Sequence, residues 1–468
     1  MITITVVNNI YCQVDSTTKN ILQDALSFDA VYYKKREFSK ERVEYRKHAF
    51  WKIDNSWLFF RGLMDRAIAE LKERDFPFRI KWEQEDFCPR SVVPKVKGIE
   101  DRDYQFDLIR KIRRYKRGVI KSATGSGKTI MQAMVTSAYP DSKILLLAHT
   151  IDIVQQTVIK FKEYGIVVYQ MRGKPSVTQS GFNFQVVVAT VQTLQAAIKR
   201  GRKEPEFMAM LSKNLSNIEV VMVDECHHLS KLEGSYADVL THTNAPIRIG
   251  FTATEPTDGE KIFALEGLMG PLIGDLNIQT ATDLGIIVKP KVKLIKIPFN
   301  SRVKDERRYQ DVYDRGIVEN VTRNRIIINL VKDTVDQTFL ILVNKIQHGY
   351  NLEQIGQSHM GEKCQFIHGE TLAEDRLVVK DLLERKKITC AIVTTIWKEG
   401  IDIPSLNGII NAAGGKSEIA TLQFIGRGLR KVEGKEFVTV YDFFDSSHYY
   451  LISHFGERIT LYMDNGWL

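Results

Sequence analysis

"KSATGSGKTIMQAM", residues 121–134, decides how the rest of the chain is read. It follows the apolar run GVI and opens into a helical pattern, so a loop of small residues lies between a strand and a helix. Backbone amides in such a loop surround phosphate oxygens, and the start of the helix favours negative charge. Thr124, Gly125, Ser126 and Gly127 supply that cradle. Lys128 reaches the terminal phosphates, and the Thr129 hydroxyl is placed to ligate Mg2+. In the pattern G-x-x-x-x-G-K-[ST] the first glycine is replaced by Ser122, so the turn must be made differently.

"IEVVMVDECHH", residues 218–228, supplies the partner. An acidic pair at the end of an apolar strand, downstream of a phosphate loop, is what nucleoside triphosphate hydrolysis needs. One carboxylate holds Mg2+ through water and the other polarises the attacking water. Asp224 is expected to serve the metal and Glu225 the water. Cys226, His227 and His228 suggest zinc, but a zinc site needs about four ligands in a workable arrangement. These three are adjacent, and no second Cys or His pair with finger-like spacing accompanies them. No zinc or metal cluster is expected; Cys226 reads as a small buried spacer, and His227 as a relay from the phosphate to a neighbouring domain.

Around these motifs the pattern is α/β. From 99 to 285 short apolar runs alternate with helical stretches: GVIKS, KILLLAH, FQVVVAT, IEVVMVD and IRIGFTA each end in a polar loop. Runs buried on both faces are what a parallel sheet flanked by helices requires. A basic segment bracketed by Pro290 and Pro298 follows. A second series then occupies 290–468, with TFLILVN, CQFIHGE, TCAIVTT, LNGIINA and FVTVYDF. The ending DSSHYYLISHFGERITLYMDNGWL reads as an aromatic helix packed back onto this second domain. Residues 1–95 differ. SFDAVYYKKREFSKERVEYRKHAFWKIDNSWLFF interleaves aromatic and basic residues as strands and turns, and RGLMDRAIAELKER reads as an amphipathic helix. A small basic α+β domain is expected, its aromatics suited equally to stacking on DNA bases and to building a core. CPRSVVPKVKG, 88–98, reads as the linker.

The chain has 468 residues, which at roughly 150 per domain agrees with about three units. No stretch approaches the roughly 18 apolar residues that span a bilayer, and the first residues show no basic-then-apolar leader. An intracellular, cytoplasmic protein without membrane contact is expected. Five scattered cysteines fit reduced thiols. A net charge of +9 and the dense run RKIRRYKRG, 110–118, favour a polyanionic partner.

The ordered set RDYQ (102–105), ATGSGKT (123–129), LLLAHT (145–150), ATVQTL (189–194), DECH (224–227), TATE (252–255), VTTIWKEGIDIP (393–404) and QFIGRGLR (423–430) resembles that of superfamily 2 helicases and translocases, across most of residues 99–445. The resemblance implies two tandem RecA-like P-loop domains with ATP and Mg2+ in the cleft between them. It implies that Gln105 reads the adenine edge, with Arg102 and Tyr104 placing it; a side-chain amide can both donate and accept there. Gln423, Arg427 and Arg430 recur at i, i+4 and i+7, which places them on one helix face. In the family's terms Arg427 and Arg430 are arginine fingers. Gly400 and Asp402 match the segment that senses nucleotide and strand, and Thr252 and Thr254 match the hinge motif that transmits closure. His149, Thr150, Thr190, Gln192, Thr193, Thr394 and Thr395 follow strand ends, where short polar groups suit a phosphodiester track.

DECH differs from the DEAD of the commonest RNA helicases. The layout of SFDAVYYKKREF followed by RGLMDRAIAELKERDFPFRI is similar to the amino-terminal domain of phage UvsW-like branch-migration helicases. That resemblance implies a DNA-dependent ATPase, expected as a monomer, that remodels forks and junctions in recombination, repair and replication. A double-strand translocase without strand separation and an RNA helicase are the alternatives. A clamp with a dead motor would lack Lys128, Glu225 or an arginine finger. Removing residues 1–95 is expected to spare DNA-stimulated hydrolysis and weaken selectivity for branches.

Overall fold

The computed structural model describes residues 1–36, 39–100, 102–173, 179–256, 258–334, 336–394, 403, 405–416 and 418–468. They gather into two compact units, one of residues 1–122 and 127–276, the other of 123–126 and 277–468. Among the described residues no helix is long and apolar enough to cross a membrane.

The chain begins with strands β1 (Ile2–Val6), β2 (Tyr11–Val14), β3 (Ser27–Arg36), β4 (Ser39–His48), β5 (Trp51–Ile53), β6 (Ser56–Phe60) and β7 (Phe78–Trp82). One sheet has the order β5-β6-β2-β1-β7, with β1 and β7 parallel and its other pairs antiparallel. β3 and β4 form a separate antiparallel ribbon. Alternation sets the buried face: Ile4 and Val6 on β1, and Cys12 and Val14 on β2, are all buried. Helix Ser16–Leu22 starts where the Asp15 carboxylate accepts from the Thr18 amide at 2.7 Å. Helix Met64–Glu73 follows the sheet, as its apolar spacing predicts.

The core of this part is continuous with that of the first α/β sheet. Phe60, Leu63 and Ala67 share one apolar cluster with Leu268, Val221 and Leu145. The close approach is made by two glycines: a Cβ on Gly62 would lie 2.0 Å from the Glu266 carbonyl oxygen, and one on Gly267 would lie 3.2 Å from Phe60 Cβ. Phe28 packs its ring 5.1 Å from that of Phe263, and Arg66 pairs with Glu266 at 2.6 Å. Residues 88–98, expected as a linker, run along helix Lys128–Ala138: the Val92 amide donates to Ala138 O at 2.8 Å, and Ser137 Oγ donates to Lys95 O at 2.8 Å. Cutting at residue 95 would therefore open a packed apolar face, so a truncated chain is expected to lose stability. Gly62→Ala tests the same contact. Because backbone must move to admit the methyl group, a loss of about 1–3 kcal/mol in urea unfolding is expected; unchanged stability would show that the two glycine-bearing segments do not touch.

The first α/β sheet contains β8 (Arg117–Ser122), β9 (Ile144–Ala148), β10 (Val168–Met171), β11 (Val186–Thr190), β12 (Val220–Asp224), β13 (Ile247–Thr252) and β14 (Leu272–Leu276), in the order β10-β11-β9-β12-β13-β8-β14. Every pairing is parallel. β9, β11 and β12 are buried along their whole length, which is why they read as unbroken apolar runs. All carboxyl ends therefore lie on one rim, where open α/β sheets bind ligands.

The second sheet runs β15-β20-β19-β16-β18-β17, again all parallel: β15 (Lys289–Ile297), β16 (Phe339–Leu342), β17 (Cys364–Ile367), β18 (Cys390–Val393), β19 (Gly408–Asn411) and β20 (Phe437–Asp445). The basic segment after Pro290 is thus a nine-residue edge strand. Its lysines and proline suit an edge, where one side of the backbone needs no partner. Helix Tyr449–Asp464 is fastened to this sheet through charge. Arg458 grips the buried Asp442 carboxylate with Nε at 2.8 Å and Nη2 at 2.9 Å, and Tyr462 donates its hydroxyl to the same group at 2.5 Å.

Candidate nucleotide and nucleic-acid site

β8 ends at the buried Ser122, and the turn is completed without the missing glycine. The Ser126 amide and hydroxyl both donate to Ala123 O, at 3.1 and 2.6 Å. Gly125 and Gly127 have φ of 85° and 93°, a left-handed backbone that other residues resist. Helix Lys128–Ala138 begins directly after Gly127. Lys128 Nζ donates to Glu225 Oε1 at 2.6 Å, although the two are 97 residues apart.

Glu225 follows β12 with φ 48° and ψ 51°, a left-handed conformation costly for a side-chain-bearing residue. Its amide donates to Asp224 Oδ1 at 2.9 Å, and its other carboxylate oxygen lies 3.4 Å from His227 Nδ1. The same His227 nitrogen is 3.0 Å from Thr252 Oγ1 at the end of β13, and that hydroxyl also accepts from the Thr254 amide at 3.2 Å and donates to Thr254 O at 2.8 Å. A run of polar contacts therefore extends through Lys128, Glu225, His227, Thr252 and Thr254, hydrogen-bonded at each step except between Glu225 Oε2 and His227 Nδ1, which lie 3.4 Å apart. Burial and then the Glu225 charge push the Asp224 carboxyl up to about 6. Glu225 moves the opposite way: burial opposes its ionisation, but Lys128 and His227 outweigh it and hold the carboxyl well below its usual range. Cys226 is buried with its Sγ against β13; a Cβ on Gly250 would sit 2.7 Å from the sulfur.

Gln105 lies in helix Asp103–Tyr115, for which Arg102 is the exposed N-cap residue. It is 1% exposed, its Nε2 donates to Tyr104 Oη at 3.2 Å, and that nitrogen would lie 3.8 Å from a Cβ on Gly127. Gln105 Oε1 is buried with no hydrogen-bond partner among the described residues. An acceptor left unsatisfied beside a phosphate loop fits an incoming amino group. Sequence reasoning missed Gln132. It is fully buried one turn after Lys128 and sits beside Asp224, its amide likewise without a partner in hydrogen-bonding geometry. The signal was a polar residue four positions along the buried face of the helix.

The strand-end residues separate into two kinds. Thr150 and Thr190 cap the helices Ile151–Glu163 and Val191–Gly201 through bonds to the Ile153 and Thr193 amides, and the Thr190 and Thr193 hydroxyls lie 2.9 Å apart. Gln192 between them is exposed. His149 stacks on His228 with ring centroids 3.9 Å apart, and His228 lies 4.3 Å from His227, so imidazoles join the ends of β9 and β12. In the second unit Thr394 is buried at the end of β18. Thr395, Gly400 and Asp402, and the side chain of Gln423, lie outside the described residues.

One expectation fails. Gln423, Arg427 and Arg430 do not share a helix face, because helix Glu418–Gly426 stops before the arginines. The Arg427, Gly428 and Leu429 amides donate three residues back, a tightened turn, and Arg430 pairs with Ile287 in an isolated antiparallel bridge. Two glycines frame the stop. A Cβ on Gly428 would lie 2.8 Å from the Ile409 side chain, so this turn must pass close to β19 rather than continue as a helix.

Comparison with known proteins agrees with this geometry. The family model described as type III restriction enzyme, res subunit, matches residues 98–257, and helicase conserved C-terminal domain matches 322–432, between them more than half of the chain. The chain is 23% identical over 425 residues to the ATP-dependent DNA helicase uvsW of Enterobacteria phage T4, covering 84% of this chain and 80% of that protein. It is 23% identical over 362 residues to a putative helicase of a Sulfolobus islandicus filamentous virus, covering 73% of this chain and 63%, less than two thirds, of the relative. The fold is shared with a fragment of a putative HsdR subunit of a type I restriction enzyme from Vibrio vulnificus, at a TM-score of 0.57 and 16% identity over 89% of this chain and 75% of that one. With a phosphate loop, an acidic strand end and both matched domains carried on two parallel sheets, the chain belongs to the superfamily 2 helicases, ATP-dependent enzymes with two RecA-like domains.

Proposed function

We propose that this helicase is a DNA-dependent ATPase that remodels branched DNA, moving forks and junctions in recombination, repair and replication. The run of polar contacts from Lys128 through Glu225 and His227 to Thr252 and Thr254 supports the motor part of the reading. It ties the group that meets the phosphate to the end of the neighbouring strand β13. In this reading a phosphate takes the place of Glu225 on Lys128, and the freed carboxylate accepts the proton of the attacking water. Thr129 and, through water, Asp224 would hold Mg2+, which when bound would supply charge neutralisation at the phosphates. The buried Asp224 carboxylate, with the Gln132 amide beside it, fits such a cation. Arg427 and Arg430 are the proposed fingers, Gly400 and Asp402 are assigned by motif alone, and His149, Thr150, Thr190, Gln192, Thr193, Thr394 and Thr395 are the proposed strand track. The domains are taken as 1–95, 99–285 and 290–468, with the chain acting as a monomer.

DNA and branch selectivity rest on the likeness to a phage protein named a DNA helicase and on the basic, aromatic amino-terminal part. The deciding experiment is ATP-dependent dissociation of a labelled four-way DNA junction, with linear duplex DNA and duplex RNA as competitors. Junction-selective dissociation is expected. Hydrolysis with an intact junction would replace branch migration by translocation, and competition by RNA alone would replace DNA.

Adenine selection gives a separate expected result. Gln105→Ala should lower the preference for ATP over GTP in kcat/KM by about ten-fold, the scale of one lost directional hydrogen bond. An unchanged ratio would remove Gln105 from base recognition.

A further inference from the structure

Because the second sheet is entirely parallel, Ile297 at the end of β15 lies on the same rim as Thr394 at the end of β18. Beyond Ile297 a cavity of ≈ 620 Å3 opens among Phe299, Asn300, Arg302, Arg315, Glu319 and Thr322. Phe299 is 60% exposed, unusual for a ring beside a cavity of this size. Its loop is held firmly. The Asn300 amide donates to Ser447 Oγ at 2.8 Å, Asn300 Nδ2 donates to Arg315 O at 3.1 Å, and His448 Nε2 lies 3.1 Å from Glu306 O. The same latch fixes the start of the carboxyl-terminal helix, where Tyr449 is 61% exposed and its ring lies 4.0 Å from that of Tyr450.

Arg315 stands on a single π-helical turn, Asp314–Val318. Such turns are rare and concentrate at functional sites. Lys345, just beyond β16 on the rim, pairs with Asp314 of this turn. Arg315 pairs with Glu306, whereas Arg302 has no carboxylate partner among the described residues. An exposed ring on a braced loop, a second at the start of the helix latched to that loop, a guanidinium without a carboxylate partner among the described residues and a nucleotide-scale cavity match what unpaired nucleic acid needs: faces for its bases and cations for its phosphates. Glu319 also lines the cavity and suits the exocyclic amines of bases rather than phosphates.

We propose that this surface binds single-stranded DNA, an unpaired strand leaving the branch point, outside the track of strand-end residues. The inference rests on the DNA-motor reading and adds to it a second strand site. The test is fluorescence anisotropy of labelled oligo(dT) with the full-length protein, together with photo-crosslinking of 4-thiothymidine. Phe299→Ala/Tyr449→Ala and Arg302→Glu should each weaken oligo(dT) binding by about ten-fold or more, Arg302→Lys should restore much of it, and crosslinks should fall on the peptides holding Phe299 and Tyr449. All three positions are exposed, and matching thermal unfolding midpoints check the fold of each variant. Wild-type affinity in both variants overturns the site while leaving the motor reading intact, provided junction DNA still stimulates hydrolysis. Absence of that stimulation in the wild-type protein overturns both. Tighter binding of oligo(U) than of oligo(dT) overturns the assignment to DNA.

Discussion

Replacing Lys128 with alanine is expected to lower ATP hydrolysis by about 10³-fold, the scale on which preorganised charge acts on a transferring phosphoryl group. Two losses combine. The ammonium that would meet the terminal phosphate is gone, and Glu225 stays buried without the cation 2.6 Å away that keeps it ionised. Burial is the largest influence on Glu225, so without Lys128 its carboxyl should rise towards the neutral form, poor at accepting a proton. Glu225→Gln separates the two. It should retain binding of a labelled nucleotide while kcat falls to a similar degree, whereas Lys128→Ala should lose both. Steady-state hydrolysis and filter binding on the two variants read this directly, and a Glu225→Gln enzyme with ordinary turnover would remove Glu225 from the chemistry.

The second large effect concerns stability. Arg458→Ala should destabilise the second unit by about 3–5 kcal/mol, since it strands Asp442 as a buried carboxylate without its bidentate partner. Asp442 is 0% and Arg458 2% exposed, so solvent cannot take the place of either. Replacing both, as in Asp442→Asn with Arg458→Met, should recover part of the loss because no uncompensated charge remains. Urea unfolding followed by circular dichroism, with hydrogen exchange of residues 449–464, distinguishes this from a surface effect. A shift below about 1 kcal/mol would mean that the pair behaves as an exposed one.

The parallel sheets were legible because their central strands are buried on both faces and so appear as unbroken apolar runs. Of the four edge strands of these two sheets, only β17 was; the other three were not. β10 is short and half-buried, β14 carries Gly274 and Asp275 among its apolar residues, and β15 alternates lysine with apolar residues around Pro290. Each lacks a neighbour on one side, so its composition is set by solvent as much as by the core. The phosphate loop and acidic pair could be read from type and spacing, since both act through local backbone shape. Gln132 could not, because a buried amide matters only through what lies across from it. Nor could the helix stop at Gly426. The periodicity of Gln423, Arg427 and Arg430 is genuine, but it counts residues and is blind to the proximity of β19, which leaves no room for a side chain at Gly428. The amino-terminal part was legible as strands and a helix, but not as a partner in the first core, because shared packing leaves no mark on spacing.

That shared core has a mechanical meaning. With Gly62 against the Glu266 carbonyl and Phe60 against Gly267, the amino-terminal sheet is welded to the phosphate-loop sheet rather than hung from it. Whatever residues 1–82 bind is therefore expected to move with the phosphate-loop sheet, against which they pack, rather than swing on a tether.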